Sequence, residues 1–119
     1  MESFEFISSY LDGMAQIMGV VTFAFSESIV LARCNCEVAL TPTLCKHREA
    51  LIQGDTSFLD VPSQVVEFQE LFPKLESLTN LHKSLLAFKA QPHSEEQLQK
   101  AIADFDKAIC RGIQAHLPG

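Results

Sequence analysis

Apolar residues recur at alternating steps of three and four along the first 25 residues of the chain, a spacing typical of one face of an α-helix. These positions are Phe4, Ile7, Leu11, Met14, Met18, Val21 and Phe25. Polar residues, among them Glu5, Asp12 and Gln16, fall on the opposite side of the same helical projection. The pattern therefore predicts a helix over residues 2–19.

The segment of residues 20–40 fits two patterns. A step of about four residues joins Val21, Phe25, Ile29, Ala32 and Cys36 and indicates a buried helix. A step of two residues joins Val30, Ala32, Cys34, Cys36, Val38 and Leu40 and indicates a strand. We favour the helix, because a lone hairpin here would have no third strand to complete a stable sheet. An α+β fold with a hairpin in residues 20–40 is the alternative.

Proline and glycine divide the rest of the chain into further helices. A short helix is expected over residues 44–53, since Gly54 is a typical residue at the end of a helix. Pro62 suits the first turn of a longer helical arm over residues 62–90. Pro73 lacks an amide proton, so it is expected to kink or restart that arm.

The clearest local signal is a capping box at the start of the last helix. Ser94 and Gln97 stand three residues apart, so each side chain can bond the other residue's backbone amide. A helix over residues 94–116 follows. With 47% hydrophobic and 20% charged residues, the chain is too apolar to be disordered. We therefore predict one helical domain over residues 1–119, an all-α antiparallel bundle of four or five helices.

The charge and the apolar segments exclude several function classes. The formal net charge of −6 disfavours binding to nucleic acid, whose phosphates would be repelled. The residues after Met1 are acidic where a secretory signal would be basic. The apolar stretch of residues 14–33 contains Glu27, so its uninterrupted part is too short to span a bilayer. We expect a cytoplasmic protein without membrane insertion.

The cysteines supply the sharpest chemical pattern. Cys34, Cys36, Cys45 and His47 form a C-x-C-x8-C-x-H arrangement, three thiols and an imidazole of the kind that bind zinc. Residues two apart on an ideal helix point in nearly opposite directions, so a zinc site requires a non-helical Cys34 and Cys36. The same cysteines could instead be small buried apolar residues. A third interpretation is a reactive thiol activated by the nearby basic residues, such as Arg33 and Arg48.

No spacing among the histidines identifies a catalytic base, a nucleophile or a carboxylate-bridged metal centre. His82 lies at the edge of an apolar stripe, and a hydrogen-bonded boundary residue is the simpler interpretation of its position. We assign no catalytic residue and expect the protein not to be an enzyme, although an unrecognised pocket near His82 is a third hypothesis.

Apolar residues also exceed what one small core needs to bury. Phe6, Tyr10 and Ile17 form a second apolar flank of the predicted first helix, and Phe23 extends it into residues 20–32, which are apolar nearly all round. We predict that this flank binds a partner protein or a second copy of the chain, as in a homodimer. The sequence then indicates a small acidic interaction module, an adaptor, chaperone-like or regulatory protein without a cofactor. The alternative is a metal- or thiol-responsive regulatory domain, with zinc held by the cysteine cluster and His47.

Overall fold

The computed structural model describes residues 2–26, 29–36 and 45–111 and shows an α+β fold. Its first half contains the strands β1 (Glu2–Asp12), β2 (Ala15–Ser26) and β3 (Ile29–Cys34). The helices that follow are α1 (Lys46–Ile52), α2 (Pro62–Leu71), α3 (Glu76–Ala90) and α4 (Glu95–Arg111), with a 3-10 turn (Phe72–Leu75) between α2 and α3.

The strands form an antiparallel sheet in the order β1-β2-β3. Phe6 of β1 lies opposite Val21 of β2, and Val21 lies opposite Cys34 of β3. Residues that face each other across such a ladder share one side of the sheet. Cys34, at the end of β3, therefore lies on the same side of the sheet as Phe6 and Val21, the side that faces the core.

The all-α prediction is wrong, and so is the helix predicted over residues 2–19. Phe4, Phe6 and Tyr10 alternate along β1 with the more polar or exposed residues between them, and this period of two decides the structure. Strand β1 also supplies the third strand whose apparent absence favoured a helix in residues 20–40. The α+β alternative has the right class, but its hairpin starts at Ala15 rather than at residue 20.

The turn between β1 and β2 has a local cause. Gly13 has a φ of 65°, a left-handed conformation that glycine adopts without strain. Together with Met14 it forms a two-residue loop, since Asp12 pairs with Ala15. Glycine at the first position of such a loop is typical of tight hairpins.

The predicted helices after residue 44 agree with the structure where it describes them. Helix α1 begins after Cys45, α2 has Pro62 in its first turn, and the 3-10 turn contains Pro73. The capping box is confirmed, because the amides of Ser94 and Gln97 each bond the other's side chain at 3.0 and 3.1 Å. The predicted end of the last helix, beyond residue 111, lies outside the described residues.

The core lies between the sheet and the helices. Phe6, Phe23 and Phe68 meet with ring centroids 5.4 to 6.0 Å apart. Phe105 and Ile109 of α4 are fully buried in the same cluster. No helix in the described part of the chain combines the length and the apolar character needed to cross a membrane.

Candidate metal centre

Four potential metal ligands come from two places in the fold. Cys34 is the last residue of β3, and Cys36 follows two residues later. Successive alternate residues of an extended chain point to the same side, so both thiols can face one centre. Cys45 is the N-cap of α1 with an extended backbone (φ −76°, ψ 152°), and His47 lies in the first turn of that helix. The requirement that Cys34 and Cys36 be non-helical is met.

The four potential ligand atoms lie close enough together to bind one metal ion. The sulfurs of Cys34, Cys36 and Cys45 and a ring nitrogen of His47 all lie within 4.8 Å of one another. The Cys34 Sγ and His47 Nδ1 atoms are 3.7 Å apart. Ordinary zinc–sulfur and zinc–nitrogen bond lengths in a tetrahedral site place such a pair about 3.6 Å apart. The Cys34–His47 pair therefore has the separation expected of two ligands of one zinc ion, and no pair of the four ligand atoms is more than 4.8 Å apart.

His47 is oriented by a hydrogen bond on the far side of its ring. Its Nε2 atom lies 3.0 Å from the backbone carbonyl oxygen of Ile17 in β2. A carbonyl oxygen can only accept, so Nε2 carries the proton and donates it. The neutral ring then has its lone pair on Nδ1, the atom that faces Cys34. A carbonyl that fixes the tautomer of a histidine in this way is the usual outer partner of a histidine metal ligand.

The sulfur of Cys45 is stabilised as a thiolate. Hydrogen bonding from the Cys34 thiol is the largest cause, and the backbone amide and charge of Arg48 add to it, so the pKa of Cys45 falls to about 4 despite its burial. The Arg48 amide nitrogen is 3.4 Å from this sulfur. The pKa of Cys34 is raised, because its thiol donates to Cys45 and is partly buried. A cation at this point would replace the proton that the two sulfurs share.

Two neighbouring residues of β2, Gly19 and Val20, lie next to the cluster. Val20 donates its amide to the Asn35 side-chain oxygen at 2.8 Å, and it accepts the Asn35 amide at 3.4 Å. These bonds hold the turn that carries Cys34 and Cys36 against β2. Gly19 is the neighbour of Val20, and a Cβ atom there would lie 2.8 Å from Cys34 Sγ and 3.0 Å from His47 Nδ1.

Replacing Gly19 with alanine is expected to weaken metal binding. The added methyl group would lie too close to both the Cys34 sulfur and the His47 ring, and the bond of His47 to Ile17 limits how far that ring can move away. Outer-shell changes of this kind typically reduce metal affinity by about 10- to 100-fold. Competition with a chromophoric chelator measures the effect, and Met18→Ala is the control, since Met18 precedes Gly19 on β2 but its side chain is exposed. Equal zinc affinities for Gly19→Ala and the wild type would show that the cluster does not bind metal against β2.

The residues that follow His47 connect α1 to the other helices. The Arg48 guanidinium is buried and lies 2.5 Å from a carboxylate oxygen of Asp106 in α4. A second guanidinium nitrogen lies 3.5 Å from the backbone oxygen of Ala32 in β3. Glu49 bonds His82 of α3 at 3.0 Å.

His82 is a hydrogen-bonded histidine inside the fold. It is buried, and its bond to Glu49 lowers the pKa of that carboxyl. A nearby groove of about 330 Å³ between α3 and α4 is lined by residues that include Leu85, Phe88 and Phe105, with His82 outside that lining.

The four residues predicted to contact a partner have different positions. Phe6 and Phe23 have no exposed area and belong to the core. Tyr10 packs against the cysteine–histidine cluster, with its ring centroid 4.8 Å from that of His47 and the two rings tilted by 51°. Ile17 is half-buried, and its backbone oxygen binds His47. Among the described residues, three of the large apolar side chains with the greatest exposure, Leu11, Met14 and Met18, lie at or near the β1–β2 turn.

Known proteins provide no guide to this site. No family model, no curated protein and no solved structure matches the chain.

Proposed function

We propose that the chain is a zinc-binding domain in which Cys34, Cys36, Cys45 and His47 together hold one structural Zn²⁺ ion. The observation that carries the proposal is the convergence of their four ligand atoms within 4.8 Å. The hydrogen bond from His47 to Ile17 supports it, because it turns the free nitrogen lone pair towards the sulfurs.

The ligand set favours zinc over other metals, and a structural site over a catalytic one. Thiolate ligands select soft or borderline metals, whereas Mg²⁺ and Ca²⁺ bind oxygen. Three thiolates and one imidazole fill all four positions of a tetrahedral zinc site. A catalytic zinc needs an open position for water or substrate, and here the protein would occupy every position. Cys36, Cys45 and His47 are also buried, which suits a closed site.

In this role the ion joins two parts of the fold. Two ligands lie at the end of β3 and two at the start of α1, and residues 37–44 between them lie outside the described part of the chain. Helix α1 has seven residues, fewer than an isolated helix needs for stability in water. Metal binding would supply the missing stabilisation by fixing the first turn of α1 to the sheet.

Cobalt substitution tests the ligand set directly. Co²⁺ titrated into reduced, metal-free protein is expected to saturate at one ion per chain. The cobalt-bound protein should show the intense visible absorption of a tetrahedral site together with sulfur-to-cobalt charge-transfer bands. One equivalent of Zn²⁺ should abolish both sets of bands. The pale spectrum of an octahedral, oxygen-rich site would contradict the proposal. If no metal binds and the thiols instead form a reversible disulfide, the thiol-responsive interpretation would take its place.

A second candidate function is supported by the exposed apolar residues at the β1–β2 turn. Leu11 is 73% exposed and Met14 fully exposed, so water covers apolar surface that a partner or a second copy of the chain could cover. As an interaction module, the domain would bind through this turn and self-associate. Sedimentation of the wild type and of Leu11→Lys tests the self-association, with Val66→Lys as the control, since Val66 is an exposed apolar residue on α2, away from this turn. A wild type that stays monomeric at high concentration would exclude the homodimer.

A further inference from the structure

Helix α1 is tied to most of the fold through three consecutive residues. His47 bonds β2 and faces the cysteines, Arg48 reaches β3 and α4, and Glu49 bonds α3. Two of the metal ligands are the N-cap and a first-turn residue of this same short helix. Any event that orders or disorders α1 therefore changes what holds α3 and α4.

The tie to α4 is the strongest of these connections. Arg48 has a fully buried side chain, and its partner Asp106 is buried beside it with 12% of its side chain exposed. A buried ion pair depends on geometry, because each charge has lost its water and an unmatched charge is costly. The Arg48 amide also donates to Cys45 Sγ. One residue thus bonds both a metal ligand and α4, and we call the series Cys45, Arg48 and Asp106 the latch.

Helix α4 has the features of a helix that can either pack on the sheet or detach from it. Its inward face carries Phe105, Ala108 and Ile109 in the core, while Gln99, Lys100 and Lys107 are exposed on its other side. Its capping box bonds Ser94 and Gln97 to each other, so the start of the helix depends on no other element. An amphipathic helix of 17 residues with its own cap can remain helical when it leaves the sheet. Its apolar face would then be available to a partner.

We propose that metal occupancy of the cysteine–histidine cluster controls the docking of α4, so that loss of the ion opens the latch and exposes the apolar face of α4. The inference rests on the proposed function, because it takes the zinc site as given and adds its regulation. Coupling between two sites is reciprocal, so whatever loosens α4 also weakens zinc binding by the same factor.

Hydrogen exchange of the full-length chain, with zinc bound and after chelation, tests the latch. The expected result is that amides of α4 lose protection by about 5- to 150-fold on chelation, the range typical of coupling between sites. Amides of α2, which carries no residue of the latch or of the cysteine–histidine cluster, should keep theirs. A matched pair of variants adds the reciprocal test: Asp106→Asn should weaken zinc binding by about 10-fold or more, and Asp104→Asn, two residues away on α4, should not.

The outcomes separate the two proposals. A chain that binds no zinc overturns both. A chain that binds one zinc, with α4 protection unchanged by chelation, overturns the latch and leaves the zinc site intact. Equal loss of protection in α2 and α4 also overturns the latch, since the ion would then support the whole fold rather than one helix. The wild-type comparison keeps the test decisive even if Asp106→Asn does not fold.

Discussion

Cys45→Ser is expected to reduce zinc affinity on the order of 100-fold, one ligand's share of the binding free energy of a structural zinc site. The substitution separates the two roles of this residue. Serine is among the best N-cap residues, so its hydroxyl can still accept the Arg48 amide that now bonds Cys45 Sγ. A neutral hydroxyl is a poor zinc ligand compared with a thiolate. A zinc competition assay measures the change in zinc affinity. Thermal unfolding with and without zinc measures how much helix capping is retained.

Lys46→Gln is the matched control for this variant. Lys46 lies between two of the candidate ligands in the sequence but is exposed, and its ammonium nitrogen lies 5.1 Å from the centroid of the Tyr10 ring. Its loss should leave zinc affinity unchanged and cost no more than about 1 kcal/mol of stability. If Cys45→Ser binds zinc as tightly as Lys46→Gln does, Cys45 only caps the helix and packs in the core.

Arg48→Met is expected to lower the free energy of unfolding by about 3–5 kcal/mol, measured by urea denaturation at saturating zinc. Methionine fills a similar volume, but the substitution leaves the Asp106 carboxylate buried without its cationic partner. The double variant Arg48→Met, Asp106→Leu should recover most of this loss, because two apolar side chains can replace a buried ion pair at little cost.

Lys83→Met is the control for this measurement, because it introduces the same residue at an exposed position. Lys83 is exposed on α3, so its replacement should change stability by no more than about 0.5 kcal/mol. A loss below about 1 kcal/mol for Arg48→Met would show that the ion pair is solvated in solution. An equal loss in the single and the double variant would show that Arg48 acts through contacts other than Asp106.

The second half of the fold could be predicted because its signals are local. Pro62 and Pro73 act on their own backbone, and the capping box needs only residues within one helical turn. The first half could not be predicted in the same way. Its apolar residues satisfy a helical period and a strand period together, and pairing between distant strands decides which one prevails. Gly13, between two apolar runs, is a turn signal that the helical stripe obscured.

The candidate metal centre shows the same division between local and long-range signals. Its four ligands could be recognised from residue type and spacing, since few side chains bind zinc. Their supports could not, because they depend on which strand lies beside them. Gly19 looks like an ordinary glycine in sequence, and the carbonyl of Ile17 belongs to a residue of unrelated chemistry. Both became visible only after β2 was placed next to β3 and α1.

Native mass spectrometry of the untagged protein, purified without chelator, tests the zinc site most directly. We expect each chain to carry one zinc-sized mass increment that disappears on acidification, as the thiolate and imidazole ligands take up protons. Supplying Zn²⁺ at neutral pH should restore it in the wild type but not in Cys45→Ser. A wild-type chain that carries no metal, and takes up none when zinc is supplied to the reduced protein, would contradict the account.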